Sequence, residues 1–240
     1  MANEAVNYHL YDGVATLRID DGKSNVMSPS TLREIYAALD RAESDKAIVV
    51  ITGRESVFSA GFDLNVMKGK PSEALKMLKL GYSLTARIMS HPYPVIAACN
   101  GHSLAMGVFL MLSCDYIIGT RGEFRIAANE VAIGMTMPRV AAITMENRLT
   151  PAAYQTAIAL ARYFSTDEAL QAGFFDELVD ADDMQAAIEK HVDRFKKLSP
   201  HAHTVSKRRM RKSTVRKIRR SVPLDLLDAA MLGLRGGRPK

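Results

Sequence analysis

The chain reads as an α/β protein built on a parallel sheet, and three apolar runs carry that reading. Residues 47–52, AIVVIT, form a continuous run rich in β-branched side chains that ends at Gly53, the composition of a strand covered on both faces. Residues 95–98, VIAA, follow Pro94 and give way to the turn dipeptide Asn100-Gly101. Residues 116–119, YIIG, make a third buried strand. Stretches of helical period separate these runs, and a succession of βα units predicts parallel strands joined by right-handed crossovers. No internal repeat of about 20–50 residues accompanies them.

Taken in order, residues 6–19 alternate in polarity around Asp12-Gly13, which predicts a β-hairpin with a tight turn. A polar loop over 20–25 leads to Ser28, Pro29 and Ser30, an N-cap followed by helix-compatible residues through 40 or 41, with Leu32, Ile35, Tyr36 and Leu39 on one face. Beyond the strand at 47–52, residues 55–61 are expected as a loop, 62–67 as a helical turn, and 72–90 as a longer helix that stops before His91-Pro92. Residues 123–127 read as extended, and 138–149 and 151–163 as helices, the second with proline in its first turn. Thr166 to Ala169 cap a further helix that Gly173 closes, and FFDELVD returns as a strand. From Asp182 onward the pattern is helical: 184–198, then a helix beyond Ser199-Pro200, then a separate one over 224–234, with the tail RGGRPK expected to fray.

Residues 94–115, PVIAACNGHSLAMGVFLMLSCD, change period in the middle. From 107 to 112 the pattern is a helix apolar nearly all round, which belongs in the centre of a molecule. Ser103, Ala105 and Gly107 allow close backbone approach at its start, where helix N–H groups lack internal partners and the dipole is positive. Two readings follow. The segment is a tight strand-to-helix crossover, which local pattern alone favours, or it is a cradle for a negatively charged oxygen.

Composition narrows the class. The N-terminal MANEAVNYHLYDG lacks a basic stretch followed by an apolar one, and no window approaches a membrane-spanning length, so a cytoplasmic protein without a membrane span is expected. Cys99 and Cys114 both fall inside the apolar central stretch, as buried hydrophobes in a reducing compartment do. The six histidines show no metal-type spacing, and His201-Ala202-His203 is read as part of a proline-containing linker, so no metal is expected. Of 32 Lys and Arg, nine stand between 207 and 220 without an acid; the remaining 23 face 26 acids, a balance of −3, so the basic character is local. Nucleic-acid binding would favour a broader basic face with aromatics to stack bases, and this run contains none. Its readings, in order, are a solvated helix partly packed on a neighbouring subunit, a steering patch for phosphates, and a nucleic-acid contact.

Three segments together resemble the crotonase superfamily, the enoyl-CoA hydratase/isomerase family. Residues 57–64, VFSAGFDL, resemble its F-x-A-G-x-D-[IL] loop, and residues 94–115 its P-x-I-A-x-x-N-G strand, glycine-rich turn and Cys-Asp after the helix. Residues 129–134, NEVAIG, with Met137-Pro138, resemble its P-E-x-x-x-G-x-x-P segment. The resemblance covers roughly residues 6–200. It implies a core of repeated ββα turns in two roughly perpendicular sheets, here residues 1–200 with the acyl-CoA site. A C-terminal helical region follows, here the basic residues 201–240, as an oligomerisation or lid segment building a homotrimer or hexamer. It implies an acyl-CoA thioester substrate, with no cofactor beyond the coenzyme A that the substrate carries. The thioester oxygen would be held by the backbone N–H groups of Ala60 and Met106, at the positive end of the buried helix.

The departures from the family pattern bear on chemistry. Family hydratases carry a glutamate on the helix after the glycine-rich turn, and that position is Phe109. Glu130 matches the second family glutamate, although residues 124–130 make a segment two residues longer than usual. Its apolar neighbours Ile126, Val131 and Ile133 would raise its proton affinity, as suits a base that takes a proton and returns it. The family glycine that gives the second N–H is Met106, whose side chain would then line the acyl pocket. Ser59, Gly61, Phe62, Leu64 and Gly107 belong to the matched loops and are implied in substrate binding, with Phe109. Asp63 is a CoA contact or, by preference, an N-cap for the turn that follows it. Asn25 and Met27, in SNVMS, are either the early loop beside the CoA or an ordinary turn. Asp115 reads as structural, and Arg139 and Arg148 read as solvated helix residues before CoA-phosphate ligands. The implied activity is Δ3–Δ2 isomerisation of an enoyl-CoA; the alternatives are enoyl-CoA hydration and a catalytically weak acyl-CoA-binding module.

Overall fold

Asp12 and Gly13 both take positive φ, 46° and 72°, so the chain reverses within two residues. In the computed structural model, which describes residues 4–234 and side chains as far as 232, this turn joins strand β1 (Val6–Tyr11) to β2 (Val14–Ile19). Next come β3 (Val26–Met27) and α1 (Pro29–Ser44), whose cap Ser28 accepts the N–H of Thr31 at 3.1 Å. β4 (Ile48–Thr52), β5 (Ser56–Ser59) and β6 (Gly61–Phe62) precede α2 (Leu64–Lys68) and α3 (Pro71–Met89). β7 (Val95–Cys99) and β8 (Gly101–Leu104) lead into α4 (Met106–Leu112). β9 (Tyr116–Thr120) and β10 (Ile126–Ala127) lead through a 3-10 turn at Val131–Ile133 into α5 (Arg139–Glu146). α6 (Pro151–Leu160), α7 (Thr166–Ala172), β11 (Glu177–Val179), α8 (Met184–Lys196) and α9 (Pro200–Leu234) follow.

Each turn of the chain sends a long strand to one sheet, a shorter strand to a second layer, and then a helix back across them. The large sheet has the order β1-β2-β4-β7-β9-β11, antiparallel only at the hairpin. The short strands form the sheet β10-β8-β5 and the pair β3-β6, also parallel. The apolar runs are continuous because both faces of the large sheet are covered. Val49, Ile51, Val95, Ala97 and Ile117 point into the main core with α1, α3 and α4, whereas Ile48, Val50, Ile96, Ala98 and Ile118 meet Ala187 and Val192 of α8.

Several expectations change in the folded chain. Residues 55–61 are not a loop but carry β5 and β6, and the strand run does not finish at Asn100, because β8 begins one residue later. Strands of two to four residues show no alternation to read. Asn100 bridges the layers instead, its Oδ1 accepting the Gly53 N–H at 3.1 Å and its Nδ2 donating to Arg54 O at 2.8 Å. α1 runs past residue 41 to Ser44, and α7 is capped by Ser165 rather than Thr166, in a capping box with Glu168. Residues 201–203 lie in the first turn of α9 rather than in a linker. α9 is also one helix, continuous through Pro223, where two were expected. A proline inside a helix costs about 3 kcal/mol. Packing offsets it, since Ile218 and Val222 sink among Leu78, Tyr82, Ala86 and Val140 of α3 and α5. The tail at 235–240 lies outside the described residues.

Two of the nine clustered cations do not face solvent. Lys207 reaches Asp115 Oδ2 at 2.5 Å and Arg211 reaches its Oδ1 at 3.2 Å. Arg211 also donates to the carbonyls of Ser113 and Cys114, and Asp115 accepts the Val95 N–H. Asp115 is therefore structural, as expected, but it anchors α9 as well as the sheet. Arg148 pairs with Asp176, and Arg139 with Asp225 and Asp228, so both have protein partners where solvated faces were expected. Removing the carboxylate would strand two buried cations. Asp115→Ala is expected to lower unfolding free energy by about 3–5 kcal/mol, and urea denaturation showing a loss below about 1 kcal/mol would refute the anchor.

Candidate active site

Three backbone segments converge on the start of α4, and glycines allow the approach. Gly61 holds φ +91°, and a Cβ there would lie 2.8 Å from Ala105 Cβ and 3.0 Å from Leu104 O. A Cβ on Gly107 would lie 2.8 Å from both Cβ and O of Ser59. Ser59 is buried between these glycines, donating its hydroxyl to Asn25 O at 2.7 Å and accepting the Gly61 N–H at 3.1 Å. Ala105, the residue before α4, has φ 47° and ψ −118°, a conformation costly for any residue with a Cβ. Its N–H donates to Ala127 O at 2.9 Å, which ties the helix start to the strand that leads to Glu130. The Met106 N–H stands at the first position of a helix whose seven residues are all buried.

Ala60 does not fit its expected role. Its N–H donates to Ser24 O at 2.9 Å, and the next, on Gly61, is held by Ser59 Oγ. Asn25 and Met27 are both fully buried. Asn25 donates to Ile19 O at 2.8 Å and Val57 O at 2.9 Å and accepts the Asp21 N–H, so its amide is spent on shaping the loop. Asp63 caps α2 through Asn65 N at 2.8 Å, the preferred reading. Leu64 is exposed beside it, and Phe109 is buried on α4.

Phe62 and Met106 meet across Gly81 of α3. A Cβ on Gly81 would lie 2.4 Å from the Phe62 ring and 3.3 Å from Met106 Sδ. The Phe62 ring packs edge-on against Tyr82, with centroids 5.6 Å apart. Sequence reasoning missed Tyr82, which looks like one more apolar position on α3.

Glu130 sits between β10 and the 3-10 turn and is only 4% exposed. Its carbonyl accepts the Met135 N–H at 2.9 Å, closing a turn, while its Oε2 is buried without a hydrogen-bond partner. Burial pushes its carboxyl up to about 7, opposed only by its own backbone N–H. Tyr82 is raised by its own burial and then by the negative charges of Glu130 and Asp225. Two clefts of about 530 Å3 lie elsewhere, one bordered by Tyr36, Arg87 and Arg219 and the other by Tyr93, Phe195 and His203. The site is marked by its chemistry: a buried acid of raised proton affinity, on the segment that follows the strand tied through Ala127 to the start of a buried helix. Among the described residues, no three His, Cys, Asp or Glu side chains are grouped to hold a metal, and no helix is long and apolar enough to cross a membrane.

The model of the enoyl-CoA hydratase/isomerase family matches residues 9–226. The chain is 29% identical over 211 residues to human mitochondrial enoyl-CoA delta isomerase 1, covering 86% of this chain and 70% of that one. Its fold is similar to that of human mitochondrial delta3-delta2-enoyl-CoA isomerase, with a TM-score of 0.92 at 27% identity over 98% and 94% of the two chains. An enoyl-CoA hydratase from Mycobacterium ulcerans is similar at a TM-score of 0.89 and 39% identity, over 94% and 99%.

The raised carboxyl has a cost that depends on pH. Below about pH 4.5 the side chain is protonated in both folded and unfolded chains and contributes no penalty. As pH rises towards 7 the unfolded chain loses a proton that the folded one keeps, so stability falls and levels off above the folded value. At about 1.4 kcal/mol per unit, the loss is of the order of 3 kcal/mol. Glu130→Gln is expected to exceed wild type in stability by that order at pH 8 and to match it at pH 4; denaturation at the two pH values checks the sign.

Proposed function

Because this chain belongs to the enoyl-CoA hydratase/isomerase family of the crotonase superfamily and is an enzyme of that family, we propose that it moves the double bond of an enoyl-CoA thioester from the 3,4 to the 2,3 position. Coenzyme A enters only as part of the substrate. The observation that carries this reading is the buried carboxylate of Glu130, whose Oε2 has no hydrogen-bond partner, with a buried Phe109 at the position that resembles the hydratases' other glutamate. Hydration needs one group to activate water and another to help deliver a proton; isomerisation needs one group that does both transfers in turn.

In the proposed sequence Glu130 takes the proton from C2 of a 3-enoyl thioester. The electron pair delocalises over C2 to C4 and the thioester oxygen. The N–H of Met106, at the start of the buried α4, stabilises that oxygen, together with the N–H of Phe62, whose side chain meets Met106 across Gly81. Protonated Glu130 then returns its proton to C4, the carbonyl re-forms, and the double bond lies between C2 and C3. A carboxyl near 7 is poised for both steps at neutral pH. Phe109 and the apolar lining of α4 keep water from the intermediate. The human relative named as an isomerase supports this reading, and the structural relative named as a hydratase supports enoyl-CoA hydration as the alternative. A catalytically weak acyl-CoA-binding module is a third reading.

Wild type is expected to convert 3-hexenoyl-CoA to the 2-enoyl ester faster than it hydrates crotonyl-CoA. Glu130→Gln should slow exchange of C2 protons with solvent by about 10²–10⁴-fold and leave ester binding nearly intact. Rapid hydration without isomerisation would establish the hydratase; thermal stabilisation by acyl-CoA without any turnover would establish the binding module.

We further propose that residues 201–240 serve assembly as a homotrimer or hexamer. Leu224, Leu227 and Met231 are exposed on one stripe of α9, which no described part of the chain covers. Light scattering at micromolar concentration should give three or six chains, and a monomer would remove this proposal.

A further inference from the structure

α5 begins without a cap of its own. Its N-cap position is Pro138, which offers no side-chain acceptor to the helix's first N–H groups. The acceptor comes from the other end of the chain. Asp225 of α9, its side chain 3% exposed, accepts the Arg139 N–H at 3.0 Å on Oδ1 and the Val140 N–H at 2.9 Å on Oδ2. The Arg139 side chain closes the arrangement, donating to Asp225 at 3.1 Å and to Asp228 at 2.5 Å.

The strand β10 holds the Glu130 segment on its N-terminal side by pairing with β8. On the other side the chain passes through the 3-10 turn and residues 134–138 straight into the α5 N-terminus that Asp225 grips. Tyr82, buried on α3, feels the negative charges of both Glu130 and Asp225. We infer that Asp225 is a positioning residue: by capping α5 from α9, it keeps the Glu130 carboxyl in its buried, dry place. The inference rests on the reading of Glu130 as the acid and base. It gives α9 a part in the site without contact with substrate, because a displacement of about 1 Å at the reacting group can cost 10²-fold in rate.

The test labels glutamate carboxyls with 13C and follows Glu130 through its titration in wild type, Asp225→Asn and Asp225→Ala. The same proteins are assayed for kcat and KM on 3-hexenoyl-CoA. Wild type should titrate at about 7. In Asp225→Ala the midpoint should drop by about one unit or more as water reaches the carboxyl. Alongside, kcat should fall about tenfold or more while KM stays within about threefold. Asp225→Asn, which keeps the shape and one acceptor, should fall between the two and stands in if the alanine variant does not fold. An unmoved midpoint with unchanged kcat in a folded variant overturns the inference. If wild type isomerises no ester, the proposed reaction fails, and the Glu130 titration alone still decides the role of Asp225.

Discussion

The structure depends on how closely the β5–β6 loop can approach the start of α4. Main-chain atoms of Ser59, Gly61, Leu104 and Gly107 come within distances that a single methyl group would violate, so glycine at 61 and 107 is a steric requirement. The same contact forces Ala105 into a conformation that favours glycine, a local strain that the surrounding pairings with Ala127 and Val108 hold in place. In return, the first N–H of a buried helix faces the loop with no side chain between them. A fixed donor of this kind needs no reorganisation when charge develops on a ligand.

The second constraint is electrostatic. Glu130 is buried with one oxygen unpartnered, so its proton affinity is set by desolvation rather than by a paired cation. The contrast with Asp115 is instructive. That carboxylate meets Lys207, Arg211 and a backbone N–H and serves to hold elements together. One acid is satisfied and structural; the other is left wanting a proton, and the difference lies in what the fold places beside each.

α9 connects these two. It crosses α3 and α5, buries Ile218 and Val222 between them, and uses charged side chains at both ends of that contact, Lys207 and Arg211 at one and Asp225 at the other. Seven of the nine clustered cations remain on its exposed face, so the bland expectation of a solvated helix holds for most of the run and fails for the two that turn inward.

Much was legible in the sequence because it depends on local chemistry. The hairpin follows from Asp12-Gly13, the parallel sheet from apolar runs covered on both faces, and the burial of α4 from a helix with no polar side. Glu130 came to notice, like Gly61 and Met106, through the resemblance of its segment to the family's, and its apolar neighbours then pointed to a raised proton affinity. The short strands β5, β6 and β8 escaped because two to four residues carry no period. The use of the Ala60 N–H by Ser24 and the inward turn of Asn25 depend on a loop some 30 residues away in sequence. The α5 cap is supplied by Asp225 from 86 residues further on. Sequence by itself determined the long strands and most of the helices, since periodicity and polarity are properties of neighbours along the chain. Only the tertiary structure decided which N–H groups are spent, which charges are paired and which carboxyl stays dry, because those depend on what distant segments bring to the same few ångströms.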